Sequence, residues 1–170
     1  VGTPIALTAM LAPASAIQAW AREQRYRLLL DFCRAHQADL LLGHHADDQA
    51  ETVLMRLSKG SGGDGLSGMR SHAMMRDVQI MRPFLHLHKS DILAYCNAFQ
   101  LDYVRDRSNT DMQFERVRMR DFLSYPAQKP FTQYGLRLAA VMQHLSAHHH
   151  QQLGRWLAEH AQIEPGLQVI

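Results

Sequence analysis

The run Gly43–Met69, GHHADDQAETVLMRLSKGSGGDGLSGM, constrains the fold more than any other part of this chain. Just before it, Leu40, Leu41 and Leu42 form a short apolar run that stops at Gly43 and reads as a strand buried on both faces. Downstream, Val53, Leu54 and Leu57 recur at helical spacing and predict an amphipathic helix over about 47–59. Asp48 with Glu51 three residues on is a capping-box-like start, and Gly60 suits the C-terminal end. His44, His45, Asp47 and Asp48 therefore fall on the turn between strand and helix, beside the positive end of the helix. Chain ends of buried strands and helix N-termini are where α/β proteins bind phosphorylated ligands.

Other readings of those residues are weaker. An aspartate before a helix is ordinarily a cap, and a lone histidine in a turn is ordinarily structural. Four such groups within five residues ask for more. His and Asp are also metal ligands, but the spacing is not HExxH and no distant ligand set stands out.

The rest of the chain alternates strand and helix signals. Ser15 caps a predicted helix to about Gln37, with Trp20, Leu28 and Phe32 inward and Arg22 and Arg25 on one face. Residues 60–72 read as loop, Val78–Met81 as a strand closed by Arg82-Pro83, and Ser90 as the cap of a helix to about Phe99. Asp102–Val104 reads as short and extended. Asn109 or Thr110 starts a further helix that carries Arg116 and Arg120 at i,i+4. This alternation predicts an α/β fold with a doubly wound parallel sheet. Beyond Tyr125 the pattern changes. Pro126 and Pro130 break the chain, and two helices follow, Tyr134–Leu145 and about His148–Ile163. Residues 1–125 are read as part of a catalytic domain and 126–170 as a helical linker or tail. His148, His149 and His150 point three ways around a helix, so they cannot converge on one ion.

Three ordered blocks resemble the tRNA(Ile)-lysidine synthase family, a branch of the PP-loop ATP pyrophosphatases. HHADDQAET with the following LxxGSGxDGLxGM pattern is one. Ala21-Arg22-Glu23-Gln24-Arg25-Tyr26 resembles the AREARY element that precedes it. Asp106-Arg107-Ser108-Asn109, Phe114 and Arg116-Val117-Arg118-Met119-Arg120 resemble the family's DPSN…F.RNxIR segment. Order and spacing agree over about residues 15–125. Arg107 stands where proline is usual and Val117 where asparagine is usual. The family's nucleotide loop, SGGxDS after a first strand, is not found in the sequence. Ser61-Gly62-Gly63-Asp64-Gly65 looks similar but follows a helix, so it is read as the family's second glycine loop.

The resemblance implies an adenine nucleotide alpha hydrolase-like fold, here incomplete at its N-terminus. It implies a ligase that uses ATP and Mg2+ to adenylate C2 of the wobble cytidine (C34) of tRNA(Ile) with a CAU anticodon. L-lysine then displaces AMP to give lysidine. Carried onto this sequence, Asp47 and Asp48 are candidates to hold Mg2+ or the incoming amine. Arg22, Arg25, Arg116 and Arg120 are candidates to contact phosphate or stabilise the adenylate, and His44 and His45 to bind ATP or substrate. Without the SGGxDS loop, the chain alone is expected to be inactive. Another PP-loop tRNA-modifying enzyme, such as a thiolase, is a second reading. A non-catalytic remnant acting as a binding module is a third.

Composition bears on partners and compartment. The chain begins at Val1, and Val1–Ala16 ends in Ala14-Ser15-Ala16, which mimics a signal-peptide cleavage site. That stretch has no basic n-region and is interrupted by Pro4 and Pro13, so it is read instead as the middle of a longer protein. Missing first strands imply an exposed sheet edge, a template for homo-oligomerisation. No apolar stretch is long enough to span a bilayer, so no membrane partner is expected. Two isolated cysteines, Cys33 and Cys96, suit a reducing, cytoplasmic setting. Net charge is only +2, with 15 arginines and 3 lysines. Residues 102–121 hold five arginines against five acids, so the tRNA partner follows from the resemblance and not from charge.

Overall fold

The computed structural model describes residues 17–104 and 111–161. They form α1 (Ile17–Ala35), β1 (Leu40–Leu41), α2 (Ala46–Ser58), α3 (Gly63–Leu66), β2 (His72–Met75) and β3 (Val78–Met81). After these come α4 (Lys89–Ala98), α5 (Glu115–Ser124), a 3₁₀ turn at Pro126–Gln128 and α6 (Lys129–His160). Two compact units result. One holds α1, β1 and the β2–β3 hairpin, and the other holds α2, α3 and everything from Leu87 onward.

In the first unit β1 pairs parallel with β3, Leu40 opposite Ile80 and Leu41 opposite Met81. The N–H of Leu42 extends the pairing to the Met81 carbonyl at 2.9 Å. Val78 and Ile80 alternate inward on β3 and meet Leu30 and Cys33 of α1 and Leu40 of β1. The inward residues of α1 are thus Leu30 and Cys33, whereas the expected Trp20, Leu28 and Phe32 are only half-buried. The expectation of a strand buried on both faces fails at Leu41, which is 63% exposed. β1 lies at the end of the β1-β3-β2 sheet, and it is Leu40 that points to the core.

β2 is an addition to the sequence reading, which treated residues up to His72 as loop. It runs antiparallel to β3 through a two-residue turn, Arg76-Asp77, both at positive φ (48° and 62°). Such turns match the twist of the paired strands. His72-Ala73-Met74-Met75 has no β-branched residue and no buried position, so neither propensity nor alternation announced it.

In the second unit α2 begins at Ala46, whose N–H donates to the Leu87 carbonyl at 2.9 Å. It closes as expected at Gly60, which has φ +71°, with the Gly60 and Ser61 amides returning to the Leu57 and Arg56 carbonyls. Ala50 and Val53 are fully buried on α2 and face α6 and its neighbours. The close approach is possible because α6 presents Gly135, where a Cβ would lie 3.4 Å from the Ala50 backbone. α4 is capped by His88, not Ser90 as expected, and the Asp91 carboxylate accepts the His88 N–H at 3.2 Å. The start expected at Asn109 or Thr110 lies outside the described residues, and α5 begins at Glu115. The two helices expected after Tyr125 are one, because nothing between Leu145 and His148 breaks a helix and Pro130 sits in the first turn, where proline is tolerated.

Candidate active site

The charge cluster grows from the first two turns of α2 and one face of α5. Glu51 is 2% exposed, and an ionised carboxylate at that depth costs several kcal/mol unless it is paired. Arg120 pairs with it as a fork, Nε donating to Oε1 at 2.8 Å and Nη2 to Oε2 at 3.2 Å. Arg116 sits one turn earlier, with its Nε 3.4 Å from Glu51 Oε2. Its Nη2 donates to Thr52 Oγ1 at 2.7 Å, and that hydroxyl donates to the Asp48 carbonyl at 2.7 Å. Arg120 Nη2 lies 3.8 Å from Asp48 Oδ1. The hydrogen bond that Arg120 donates to Glu51 raises the guanidinium's pKa, against burial and with help from the Glu51, Asp48 and Asp47 charges. The i,i+4 spacing of Arg116 and Arg120 places both on one face, as expected.

The two neighbouring aspartates part company. Asp47 Oδ2 accepts the backbone N–H of Lys89 at 2.7 Å, and its Oδ1 lies 3.6 Å from His88 Nδ1. Asp47 thus complements the positive N-terminus of α4. The Asp48 side chain, 15% exposed, faces Arg120. The structure does not use Asp48 and Glu51 as the expected capping box. Both are inside the helix, because it starts two residues before Asp48.

The glycine-rich segment after α2 is a strut. Arg56 Nη1 donates to the Gly65 and Gly68 carbonyls at 2.7 and 3.3 Å. Gln143 of α6 donates to the Ser67 and Met69 carbonyls, and Gln49 of α2 both donates to and accepts from the Met69 backbone. The amides of Leu66, Ser67 and Gly68 return to Gly62, Gly63 and Gly65. Cradling a phosphate needs open amides. Those of Leu66, Ser67 and Gly68 are engaged within the segment itself.

In the other unit, His44 and His45 are half-buried and follow the C-terminal end of β1. Arg22 and Arg25 are exposed on α1, and the Arg22 guanidinium lies 5.1 Å from the Tyr26 ring centroid. Of the histidine triplet, His150 Nδ1 lies 2.8 Å from the Ser146 carbonyl, a contact within the helix. Among the described residues no three His, Cys, Asp or Glu side chains converge for a metal. Nor is any described helix long and apolar enough to cross a membrane.

Comparison with known proteins fixes the family. A PP-loop domain matches residues 5–126. The chain belongs to the PP-loop family. It is 43% identical over 108 residues to the tRNA(Ile)-lysidine synthase of Wolbachia pipientis wMel, covering 63% of this chain and 25% of that protein. It is 44% identical to that of Anaplasma marginale (65% and 24%) and 42% identical to that of Methylobacterium nodulans (78% and 39%). The chain therefore spans between 22% and 39% of the length of the curated relatives it matches. The U34-tRNA thiolase NcsA from Methanococcus maripaludis with its [4Fe-4S] cluster shares the fold. The TM-score is 0.60 at 17% identity, covering 82% of this chain and 45% of that one.

In this PP-loop chain the sequence picked out Asp47, Asp48, Arg116 and Arg120 and missed Glu51. Its signal was its place one turn beyond Asp48 on the same helix, with two arginines downstream to balance it. Gln49, Arg56 and Gln143 were missed as well, because an amide or guanidinium that ligates backbone carbonyls leaves no spacing pattern. The Asp106-Arg107-Ser108-Asn109 block lies outside the described residues.

Proposed function

We propose that this chain is the core of a tRNA(Ile)-lysidine synthase-like ligase, acting in the cytoplasm on ATP, L-lysine and tRNA(Ile) with a CAU anticodon. The observation that carries the reading is the Asp48 carboxylate beside Arg120, with Arg116 and Arg120 both held by buried Glu51. It is supported by relatives of that name at 43% and 44% identity.

The chemistry follows from charge. O2 of the wobble cytosine attacks the α-phosphate of ATP, a P–O bond to pyrophosphate breaks, and an adenylate forms at C2. The lysine amine then attacks C2, AMP leaves with O2, and the amine proton passes to a base. Asp48 alone would repel a phosphate, so a cation must come between them. Mg2+ is typically held by one or two carboxylates together with substrate phosphates, and Asp48 fits that donor role. Asp47 is engaged at the start of α4 and fits it less well. When bound, Mg2+ would neutralise charge on the phosphates. The lysine ammonium fits the same negative position, and as it deprotonates, Asp48 is placed to take the proton. Arg116 and Arg120 are pre-oriented to meet phosphate charge in the transition state without reorganising. His44, His45, Arg22 and Arg25 remain candidates for holding the nucleotide or RNA.

The test is a chimaera in which this chain replaces the matching segment of the Bacillus licheniformis tRNA(Ile)-lysidine synthase, to which it is 42% identical over 104 residues. Lysine-dependent release of AMP and incorporation of labelled lysine into tRNA are expected. A folded chimaera that consumes ATP only with a sulfur donor would replace this reading with the thiolase one.

A further inference from the structure

The outward face of α6 carries an aligned set of basic groups that the proposed site does not use. Gly135, Ala139 and Ser146 are buried on one face, which packs on α2 and α3. That orientation is fixed by Gln143 reaching the Ser67 and Met69 carbonyls and by Ser146 Oγ donating to Asp64 Oδ1 at 2.6 Å. At about 100° per residue, Arg137, His144, His148 and Arg155 all fall within about 20° of one line on the opposite side. All four are exposed. The line runs for about 27 Å, at 1.5 Å per residue. Gln133 and Gln151 flank it as further donors. Glu159 is the one acid in the sequence of this 32-residue helix, against Lys129, Arg137 and Arg155.

We propose that this face docks along the phosphate backbone of an RNA. This rests on the tRNA-modifying reading above and adds a surface to it. Charge complementarity selects the occupant. Arginine forks and histidine and glutamine N–H groups are the donors that phosphate oxygens accept. A row of them in one line suits a repeating anion better than a compact one. Exposed Tyr134, Val141, Leu145 and Trp156 border the line on one side, so a lipid surface is the competing occupant that the experiment must separate. Its contacts carry no base specificity, so it supplies position and affinity rather than choice of tRNA.

The experiment measures binding of a labelled tRNA(Ile) transcript to the chain by anisotropy over a range of KCl concentrations. Each phosphate contact contributes about 0.7–0.9 to the slope of log affinity against log salt. R137Q/R155Q should flatten that slope by about 1.4–1.8 and weaken binding at least about tenfold at about 0.1 M salt. Both positions are exposed, so the melting temperature should not move. R34Q/R76Q removes the same charge from exposed positions of the other unit and should leave the slope nearly unchanged. Equal losses in the two double variants, or an unaltered slope in R137Q/R155Q, would overturn the proposal while leaving the ligase reading intact. Binding to phosphatidylserine vesicles in place of tRNA would overturn it too. Absence of tRNA binding by the unaltered chain, even at low salt, would overturn the proposal, while the chimaera's lysine incorporation decides the ligase reading separately.

Discussion

A carboxylate enclosed between two guanidinium groups is worth little as a stabilising pair but is costly to break. The charges left behind lose their compensation while staying partly buried. Glu51 is in that position, and Arg116 and Arg120 are each one-third exposed. Glu51→Gln keeps the shape and removes the charge. It should lower stability by about 3 kcal/mol, or about 10 °C in melting temperature for a chain of this size, measured by thermal unfolding. An unchanged melting temperature would show that the arginines need no counter-charge. Asp48 tests the chemistry instead. Its charge faces Arg120 across 3.8 Å and is not needed to pair a deeply buried group. Asp48→Asn in the chimaera should therefore reduce AMP release about 100-fold or more, in the range seen when an electrostatic contact to a transition state is lost. Its melting temperature should stay within a few degrees. Near-normal turnover would remove Asp48 from the mechanism. The position of Asp48 was legible because acids and histidines crowd the start of a helix. The role of Glu51 was not, since an acid three residues after an aspartate is also how a capping box is spelled.

At the scale of elements, sequence reading worked where residues alternate or recur with a clear period. Val78 to Met81 is the strand expected, and α2 ends at the glycine expected to end it. It failed where the deciding partner is distant. β2 has almost no burial and exists because Arg76-Asp77 turns the chain back onto β3. α6 was divided because a polar, histidine-rich stretch follows Leu145. In the structure Ser146 uses its hydroxyl on Asp64, and the helix runs through. A proline separates the two possibilities. Ala147 is exposed, so Ala147→Pro removes no packing. Within a continuous helix it deletes a backbone hydrogen bond, clashes with the carbonyl four residues earlier and costs about 3 kcal/mol or more. A fall of about 10 °C in melting temperature, with loss of helical circular dichroism, is expected. Full tolerance would mean that residues 146–147 form a joint between two helices.

For the whole molecule, fold and chemistry have to be weighed separately, because the same PP-loop architecture hosts more than one reaction. A solved neighbour is a thiolase with an iron–sulfur cluster, and at 17% identity it speaks for the fold alone. A [4Fe-4S] cluster is held by cysteine thiolates, commonly four, and this chain has two cysteines. They lie in different units, Cys33 in the core behind β1 and β3 and Cys96 half-buried on α4. Sulfur transfer uses an accessible thiol, and Cys33 is buried while Cys96 is only partly exposed. Cys33 behaves as a small apolar core residue, its Sγ 3.8 Å from the Asp39 carbonyl. Replacing both, as Cys33→Ala with Cys96→Ser, should therefore leave lysine incorporation by the chimaera within about twofold of the parent. The cost should be about 1 kcal/mol of stability from the small void at position 33. The two readings predict opposite results, since a sulfur-transferring enzyme that relied on either thiol would lose its product entirely. Measuring lysine incorporation and thiolated nucleoside side by side in the double variant decides between them. A collapse of lysine incorporation at an unchanged melting temperature would bring cysteine chemistry back into this chain.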